Sequence, residues 1–319
     1  MTVRPAPESG ARPERLADLR SQPWIGVMCT LTWVVLALLA TSLAHATVTV
    51  EDDSSRTVRL EAPATRIVSL APHTTEILFA AGAGERVVGA VSYSDYPPAA
   101  KEIPRVGSYD AVDFERILGL DPDLVVAWAS GNDSATIERL RELGLTVYVS
   151  EPRALAAIPR TITRLGRLAG TADTAQTAAE RFREHRQRLA ERYRDQAPVP
   201  VFFQIWHGPT MTINGEHLIS RVIELCGGRN VFAELPTLVP HVSTEAVIAA
   251  DPEAILAAGR DAERPEWLDD WREWPSITAV RRDNLFHLDP DVIHRAGPRV
   301  LAGAEAVCEA LATTRRHRP

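Results

Sequence analysis

Lysine is nearly absent from the 319-residue chain, since Lys101 is the only lysine among 35 basic residues. Arginine fills the other basic positions, so we interpret the arginine-rich runs 181–194 and 315–318 as solvated helix faces and a loose tail. The formal net charge is −7, which argues against nucleic acid as a partner. The hydrophobic and charged fractions, 45% and 24%, are typical of a globular protein.

Catalytic and metal-binding signatures are also missing. The sequence contains neither a Gly-x-Ser-x-Gly nucleophile elbow nor a His-Glu-x-x-His run. His287 and His294 lack the close spacing that zinc ligands usually have. Gly82-Ala83-Gly84 follows a predicted helix rather than a strand, which indicates a helix C-cap rather than a dinucleotide loop. These absences argue against an enzyme and predict no metal site and no resident cofactor.

The N-terminal segment predicts export to the periplasm. Residues 24–43 form an apolar run that follows several arginines and ends in Ala44-His45-Ala46, the small-x-small pattern of a signal peptidase site. We therefore predict a signal peptide over residues 1–46 that is cleaved after Ala46. An uncleaved membrane anchor is the alternative, since the run is long enough to span a bilayer. Met28 is an alternative start.

Cysteine is scarce, and export would place the remaining cysteines in an oxidising compartment. Of the three cysteines, Cys29 leaves with the signal peptide, while Cys226 and Cys308 remain in predicted helices. An even pair in an oxidising compartment predicts a disulfide, which would stabilise the C-terminal part by about 4 kcal/mol in the chain-entropy model. Two separate buried thiols are the alternative.

Strand and helix patterns alternate along most of the mature chain. This alternation predicts an α/β fold with parallel sheets and helices on their faces. Strand signals disappear over residues 154–197, where an amphipathic helix is predicted over 174–193. We therefore predict two lobes, each a mainly parallel sheet flanked by helices, joined by a single long rigid helix. The predicted lobes cover residues 47–153 and 198–319.

A sequence repeat supports this two-lobed arrangement. The segments 115–127 and 245–257 each begin with a glutamate, continue as a short apolar helix, reach an Asp-Pro pair and end in a buried strand. Glu115 and Glu245 lie in a first helical turn, where a carboxylate complements the helix dipole by roughly 0.3–1 kcal/mol. Their recurrence at equivalent positions also fits docking onto a two-fold partner that presents basic residues.

Aromatic and polar residues follow several predicted strands. Ligands of open parallel sheets bind at the carboxyl ends of the strands, so these residues are candidates for lining a cleft. Aromatic rings could lie against a large flat ligand, and polar groups could fix its orientation. Packing in the core is the alternative for each aromatic residue. The candidates are Tyr93, Tyr96, Trp128, Trp206, Asp291 and Arg295.

Taken together, these motifs resemble one family. The chain closely resembles the periplasmic cobalamin-binding proteins of ABC importers, which belong to the helical-backbone class of substrate-binding proteins. The resemblance extends over about 66–311 and is carried by the segments 92–98, 114–128, 131–132, 225–228, 242–245 and 295–299. It implies a monomer that holds a corrinoid as cargo in its cleft. The implied partner is an ABC importer, with a permease dimer and its ATPase subunits.

The resemblance also implies roles for individual residues. Tyr93 and Trp128 match aromatic contacts to the corrin ring, and Asp291 and Arg295 match polar contacts to its amide side chains. Two further pairs have implied roles outside the cleft. Permease arginines would pair with Glu115 in one lobe and with Glu245 in the other. A family disulfide would join Cys226 to Cys308.

Several positions depart from the pattern of that family. Tyr109 stands in place of a tryptophan, and Val239 replaces another tryptophan that binds the ligand. We expect Trp206 or His241 to compensate for the second change. His73 stands in place of an asparagine.

Three other functions stay open. Within the same class, the ligand could be haem or a ferric siderophore, with His73 or His241 as an axial ligand. An exported enzyme is a second alternative. A peptidoglycan-binding or sensor module on the same fold is the third.

Overall fold

The structure is a computed structural model that describes residues 1–3, 47–259 and 263–319. The apolar run and the cleavage site predicted after Ala46 lie outside the described residues. Residues 47–319 form one compact unit. Within the described ranges, every helix is too short or too polar to cross a membrane.

The unit begins with a hairpin that the sequence patterns did not reveal. Strands β1 (Val48–Glu51) and β2 (Thr57–Leu60) pair antiparallel. The buried carboxylate of Asp52 accepts hydrogen bonds from the backbone N–H groups of Ser54 and Arg56, both at 2.9 Å. This turn orders the hairpin because Asp side chains readily satisfy nearby backbone donors.

The first lobe is built on a four-stranded parallel sheet. Its strands are β3 (Ile67–Ser69), β4 (Val87–Ala90), β5 (Leu124–Trp128) and β6 (Val147–Ser150), in the order β4-β3-β5-β6. Its helices are α1 (Pro72–Ala80), α2 (Phe114–Gly119) and α3 (Ser134–Glu142). The central strands β3 and β5 are buried except at Trp128 and apolar except at Ser69, as expected for a parallel sheet covered on both faces.

Two packed helices follow the first lobe. Helix α4 (Ala157–Leu168) lies against the long helix α5 (Ala172–Tyr193), and Gly166 permits their close approach because a Cβ there would overlap Ala175. The buried face of α5 is the one that its sequence periodicity predicts, formed by Ala175, Ala179, Phe182, Leu189 and Tyr193.

The second lobe repeats the plan of the first. Its parallel strands are β7 (Val199–Gln204), β8 (Gly228–Asn230), β9 (Ala254–Ala257) and β10 (Leu285–His287), in the order β10-β9-β7-β8. Its helices are α6 (Leu218–Leu225), α7 (Thr244–Ala250), α8 (Thr278–Arg281), α9 (Pro290–Ile293) and α10 (Val300–Arg316). Helix α5 packs against α1 of the first lobe and against α6 and α10 of the second. The predicted α/β fold class is confirmed.

The sequence repeat has a structural basis in this shared topology. In both sheets the first strand of the lobe lies between its second and third strands. The repeat forms the third strand and the helix before it, α2–β5 in one lobe and α7–β9 in the other. Both Asp-Pro pairs lie just after the helix, where Asp121 and Asp251 adopt left-handed φ values of 43° and 40°. The left-handed residue ends each helix, and the proline prevents its continuation.

A disulfide and a docked C-terminus close the second lobe. Cys226, at the end of α6, is bonded to Cys308 of α10, which confirms the predicted disulfide. The prediction of a loose arginine tail was wrong. Arg315 donates from Nε to the backbone oxygen of Ala197 at 2.8 Å, and Arg318 pairs with Glu253 at 2.8 Å.

Candidate functional site

A cleft of about 630 Å³ opens where the carboxyl ends of both sheets meet. Residues that follow β3, β4 and β5 form one wall, and residues that follow β7, β9 and β10 form the other. Its volume lies within the range of ordinary ligand sites, about 300–1,000 Å³. The lining residues include six of the eight predicted cleft residues, namely Tyr93, Tyr109, Trp128, Trp206, Asp291 and Arg295. Tyr96 and His241 are not among the described lining residues.

Tyr93 is presented to the cleft by a strained turn. Its side chain is 72% exposed, and its backbone has a φ of 64°, which is rare for a bulky residue. The neighbouring Ser94 is fully buried and accepts hydrogen bonds from Thr75 Oγ1 at 3.1 Å and, at its backbone oxygen, from Arg105 Nη2 at 2.9 Å. Such a conformation costs about 1–3 kcal/mol and persists only where the surroundings hold it. The turn therefore fixes an exposed ring at the cleft wall.

Trp128 and Tyr109 are held together by Asn132, which belongs to the 131–132 segment and was not predicted as a site residue. The buried amide of Asn132 accepts from Trp128 N at 2.7 Å through Oδ1 and donates to Tyr109 O at 2.6 Å through Nδ2. Gly131 is required beside it, because a Cβ there would overlap the Trp128 ring. The centroids of the Tyr109 and Trp128 rings are 6.0 Å apart. The Gly-Asn pair thus shapes one aromatic wall.

Trp206 supplies an aromatic ring from the opposite lobe. It is 41% exposed and its Nε1 donates to Gly208 O at 3.2 Å. The Trp-rich segment 264–274 contains a 3₁₀ helix over Glu266–Glu273 and supports this wall. Trp271 Nε1 donates to Gln204 Oε1 at 2.7 Å, and the amide nitrogen of Gln204 donates to the backbone oxygen of Trp206 at 3.3 Å.

The residues proposed to replace the missing tryptophan separate in the structure. Trp206 lines the cleft, whereas neither His241 nor Val239 is among the described lining residues. His241 is an exposed residue whose backbone forms a β-bridge with Met211. Val239 and His241 belong to the segment 231–243 between β8 and α7, whose path no periodic pattern in the sequence reports.

Two histidines of the cleft wall are uncharged at neutral pH. Burial, together with the nearby charge of Arg295, lowers the pKa of His73 to about 3. The His73 ring packs edge-on against Trp128 at 5.2 Å, and its enclosed Nε2 has no hydrogen-bond partner among the described residues. His294 is exposed toward the cleft, but the concave wall around it limits its hydration. Desolvation therefore lowers the pKa of His294 to about 4.

An ion cluster that the sequence did not predict joins the lobes beside the cleft. The carboxylate of Glu76 on α1 is almost fully buried and accepts from Arg299 Nε at 3.0 Å and Nη2 at 2.6 Å. Arg295 Nη1 contacts Glu76 Oε1 at 3.2 Å and Asp95 Oδ1 at 2.7 Å, while Nη2 contacts Asp291 Oδ1 at 2.7 Å. We call these five residues the inter-lobe cluster.

Other contacts complete the cluster. The guanidinium of Arg299 lies over the Tyr96 ring, 4.0 Å from its centroid. Gly297 lies between the two arginines in sequence and packs against Glu76, since a Cβ there would lie 3.3 Å from Oε2. Although burial opposes it, the hydrogen bond and charge of Arg295 lower the pKa of Asp95. The Arg-Ala-Gly-Pro-Arg motif is therefore shaped to hold one buried carboxylate.

The repeated glutamates lie outside the cleft. Glu115 and Glu245 are exposed in the first turns of α2 and α7, which are capped by the side chains of Asp113 and Ser243. Within the described ranges, neither carboxylate forms an ion pair. Hydrogen bonds from its own backbone and from Ser243 lower the pKa of Glu245. No group of three or more potential metal ligands occurs among the described residues.

Comparison with known proteins identifies the family. The model of the family described as "Periplasmic binding protein" matches residues 67–292. The chain belongs to this periplasmic binding protein family. It is a family of binding proteins rather than of enzymes, and its location is the periplasm, as the N-terminal segment predicts.

Individual members show how far the similarity extends. The vitamin B12-binding protein of Vibrio cholerae serotype O1 is 38% identical over 247 residues, which covers 77% of this chain and 88% of that protein. The crystal structure of the periplasmic vitamin B12 binding protein BtuF of Vibrio cholerae matches with a TM-score of 0.74 and 37% identity, over 80% of this chain and 99% of that chain. The periplasmic haem-binding protein RhuT of Roseiflexus sp. RS-1 matches with a TM-score of 0.69 and 26% identity, over 79% and 99% of the two chains.

Proposed function

We propose that this protein captures a corrinoid in the cleft between its lobes and delivers it to an ABC importer. The observation that carries the proposal is the cleft wall, where aromatic rings from both lobes flank a polar pair formed by Asp291 and Arg295. This wall occurs in a chain that is 38% identical to a vitamin B12-binding protein over most of its length. The corrinoid is cargo, and the protein needs neither a cofactor nor catalysis.

The chemistry of the wall suits such a ligand. A corrin ring is flat and largely apolar on its faces, so the rings of Tyr93, Tyr109, Trp128 and Trp206 offer it matching surfaces. Its edge carries amide side chains, for which Asp291 supplies acceptor oxygens. The turn that carries Tyr93 and the hydrogen bonds of Asn132 hold the rings of Tyr93, Tyr109 and Trp128 in place before the ligand arrives. This reduces the ordering cost of binding.

Haem is the second candidate, because haem-binding RhuT shares the fold at 26% identity. The two histidines predicted as axial ligands do not favour it. His73 is 4% exposed with an enclosed Nε2, and His241 is not among the cleft-lining residues. A ferric siderophore would need cations that pair with its anionic groups, and the only guanidinium of the described lining, that of Arg295, is already paired with carboxylates.

Calorimetric titration with cyanocobalamin, dicyanocobinamide and haemin separates these candidates. We expect saturable binding of both corrinoids with one site per chain. The variant Trp128→Ala should weaken cyanocobalamin binding by at least about tenfold, since an aromatic contact of this kind contributes more than 1 kcal/mol. The matched control Trp267→Ala removes a tryptophan outside the cleft lining. A shift of the haemin Soret band without any corrinoid binding would overturn the proposal in favour of haem.

Delivery would use the two repeated glutamates. A helix that connects parallel strands runs antiparallel to them, so its first turn lies at the carboxyl edge of the sheet. Glu115 and Glu245 therefore flank the edge at which the cleft opens, one in each lobe. Two exposed carboxylates in this arrangement suit a permease dimer that presents an arginine from each subunit.

Charge reversal tests the delivery step. The double variant Glu115→Arg/Glu245→Arg should bind cyanocobalamin normally but abolish its uptake by vesicles that contain the cognate permease and ATPase, because losing such charge pairs costs about 2–5 kcal/mol. The control Glu85→Arg/Glu309→Arg reverses two exposed glutamates elsewhere. Uptake by the double variant equal to that of the control would show that both residues only complement their helix dipoles.

The remaining proposals concern the mature chain. We propose that the signal peptide is removed after Ala46, that the lobes cover residues 47–153 and 198–319, and that the mature protein is a monomer. N-terminal sequencing of the exported protein checks the first point, because an uncleaved anchor would retain residues 1–46. Light scattering checks the last.

A further inference from the structure

The positively charged side chain of the described cleft wall is already paired with carboxylates of the protein. Arg295 is the only arginine or lysine among the described lining residues, and its guanidinium contacts the carboxylates of Glu76, Asp95 and Asp291. Arg299, behind it, is paired with Glu76 and stacked on Tyr96. A ligand anion that reaches Arg295 therefore meets a guanidinium whose positive charge is already neutralised by the protein's own carboxylates.

The charges of the inter-lobe cluster do not cancel. It contains three carboxylates and two guanidinium groups, so it carries one net negative charge. The buried partner is Glu76, whose side chain is 2% exposed. The side chains of Asp95 and Asp291 are 39% and 49% exposed, so the surplus negative charge lies on the accessible side of the cluster.

The histidines do not offset this surplus at neutral pH. Desolvation holds the pKa of His73 near 3 and that of His294 near 4, so both rings are uncharged where the protein works. Their contribution to the wall is therefore apolar or hydrogen-bonding. Within the described lining the charges of Asp291 and Arg295 cancel, so the surplus negative charge comes from the other carboxylates of the inter-lobe cluster.

We propose that the inter-lobe cluster is a charge filter, which admits a ring ligand edged with neutral amides and rejects one edged with carboxylates. An amide N–H can donate to the accessible oxygens of Asp291, which lines the cleft. A carboxylate at the same place is repelled by Asp291 and by the nearby Asp95, and it finds no uncommitted cation among the described lining residues, so its desolvation is not compensated. This inference rests on the proposed function and adds the ligand property that the cleft selects.

The sharpest test keeps the ring constant and changes only its edge. Dicyanocobinamide carries amides, whereas dicyanocobyrinic acid is the same ring with free carboxylates. The wild-type protein should bind the acid at least about 30-fold more weakly than the amide form at low ionic strength, because like-charge contacts at an interface are strongly unfavourable. Raising the salt concentration should reduce this ratio, since salt screens the exposed part of the repulsion.

Neutralising the surplus charge should remove the discrimination. In Asp291→Asn, and more strongly in Asp95→Asn/Asp291→Asn, the ratio should fall below about fivefold, mainly through tighter binding of the acid. Both changes preserve side-chain shape, and unchanged tryptophan fluorescence would verify folding. The matched control Asp195→Asn alters the net charge equally at an exposed position beyond the end of α5, and it should keep the wild-type ratio.

The possible outcomes are distinct. If both rings bind the wild type within threefold of each other, the filter is wrong while corrinoid binding stands. A ratio that persists in the double variant also overturns it, because the discrimination then has another source. If neither ring binds, the proposed function and this inference fail together. A large ratio that collapses only in the cluster variants supports both.

Discussion

Removal of the Glu76 carboxylate should destabilise the protein far more than loss of an ordinary ion pair. The Glu76 side chain is 2% exposed, and its partners Arg295 and Arg299 are 11% and 21% exposed. Glu76→Ala would leave two mostly buried guanidinium groups facing each other without their shared anion. Breaking a buried pair in this way typically costs about 3–5 kcal/mol. Since total stabilities are about 5–15 kcal/mol, the loss is a large fraction of what holds the fold.

The assay is thermal unfolding with a surface pair as control. A loss of 3–5 kcal/mol corresponds to a fall in the unfolding midpoint of roughly 6–20 °C for a chain of this size. Glu142→Ala removes the partner of Arg139 at 3.0 Å, in a pair whose side chains are 57% and 66% exposed. That exposed pair should contribute at most about 1 kcal/mol. Equal shifts for Glu76→Ala and Glu142→Ala would refute the reasoning.

A second measurement shows where the loss acts. Glu76 and its arginines belong to different lobes, 219 and 223 positions apart. In Glu76→Gln, which keeps the shape and removes the charge, the ligand-free protein should have a larger radius of gyration in solution scattering. A purely local destabilisation would lower the unfolding midpoint and leave the radius unchanged.

Three further predictions follow from the same contacts. Asn132→Ala should weaken cyanocobalamin binding by about tenfold and shift tryptophan fluorescence, because the backbone groups of Trp128 and Tyr109 lose hydrogen bonds of about 1 kcal/mol each. An unchanged affinity would contradict a positioning role for Asn132. Cys226→Ser/Cys308→Ser opens a link across 82 positions and should cost about 4.5 kcal/mol in urea unfolding, whereas a loss below 1 kcal/mol would argue against the chain-entropy account. For His73, the folded pKa of about 3 lies below the unfolded value of 6.5, so the unfolded state binds the proton more readily between them. Stability therefore falls as the pH falls through this window, and relative to His73→Asn the wild type should lose about 2 kcal/mol between pH 7 and pH 5.

The fold could be predicted from the sequence because its signals are local. The buried face of α5 follows from helical periodicity, and the buried strands β5 and β9 follow from short apolar runs. The hairpin β1–β2 was missed because its strands have four residues each and carry charged or polar side chains on the exposed face. Strand β8, with the residues Gly-Arg-Asn, has no apolar pattern at all.

The candidate site could be predicted only in part. Parallel sheets bring the residues after each strand to one edge, so six of the eight cleft candidates converge as expected. His241 differs because it belongs to a long loop whose path depends on tertiary contacts. The inter-lobe cluster was not predicted, since its pairs between the lobes join residues 200, 219 and 223 positions apart. Charged residues of a short motif such as 295–299 do not by themselves indicate which distant residues they contact.

Duplication of one lobe plan explains why delivery and recognition occupy the same edge of the molecule. The repeated unit sets the helix start and the third strand in both lobes, and therefore places one exposed glutamate at the carboxyl edge of each sheet. The loops that follow these strands differ between the lobes. Trp128 begins an aromatic wall in the first lobe, whereas Gly259 contributes only its backbone to the cleft in the second. A partner seated on both glutamates would cover the mouth of the cleft, so the ligand could leave only toward it.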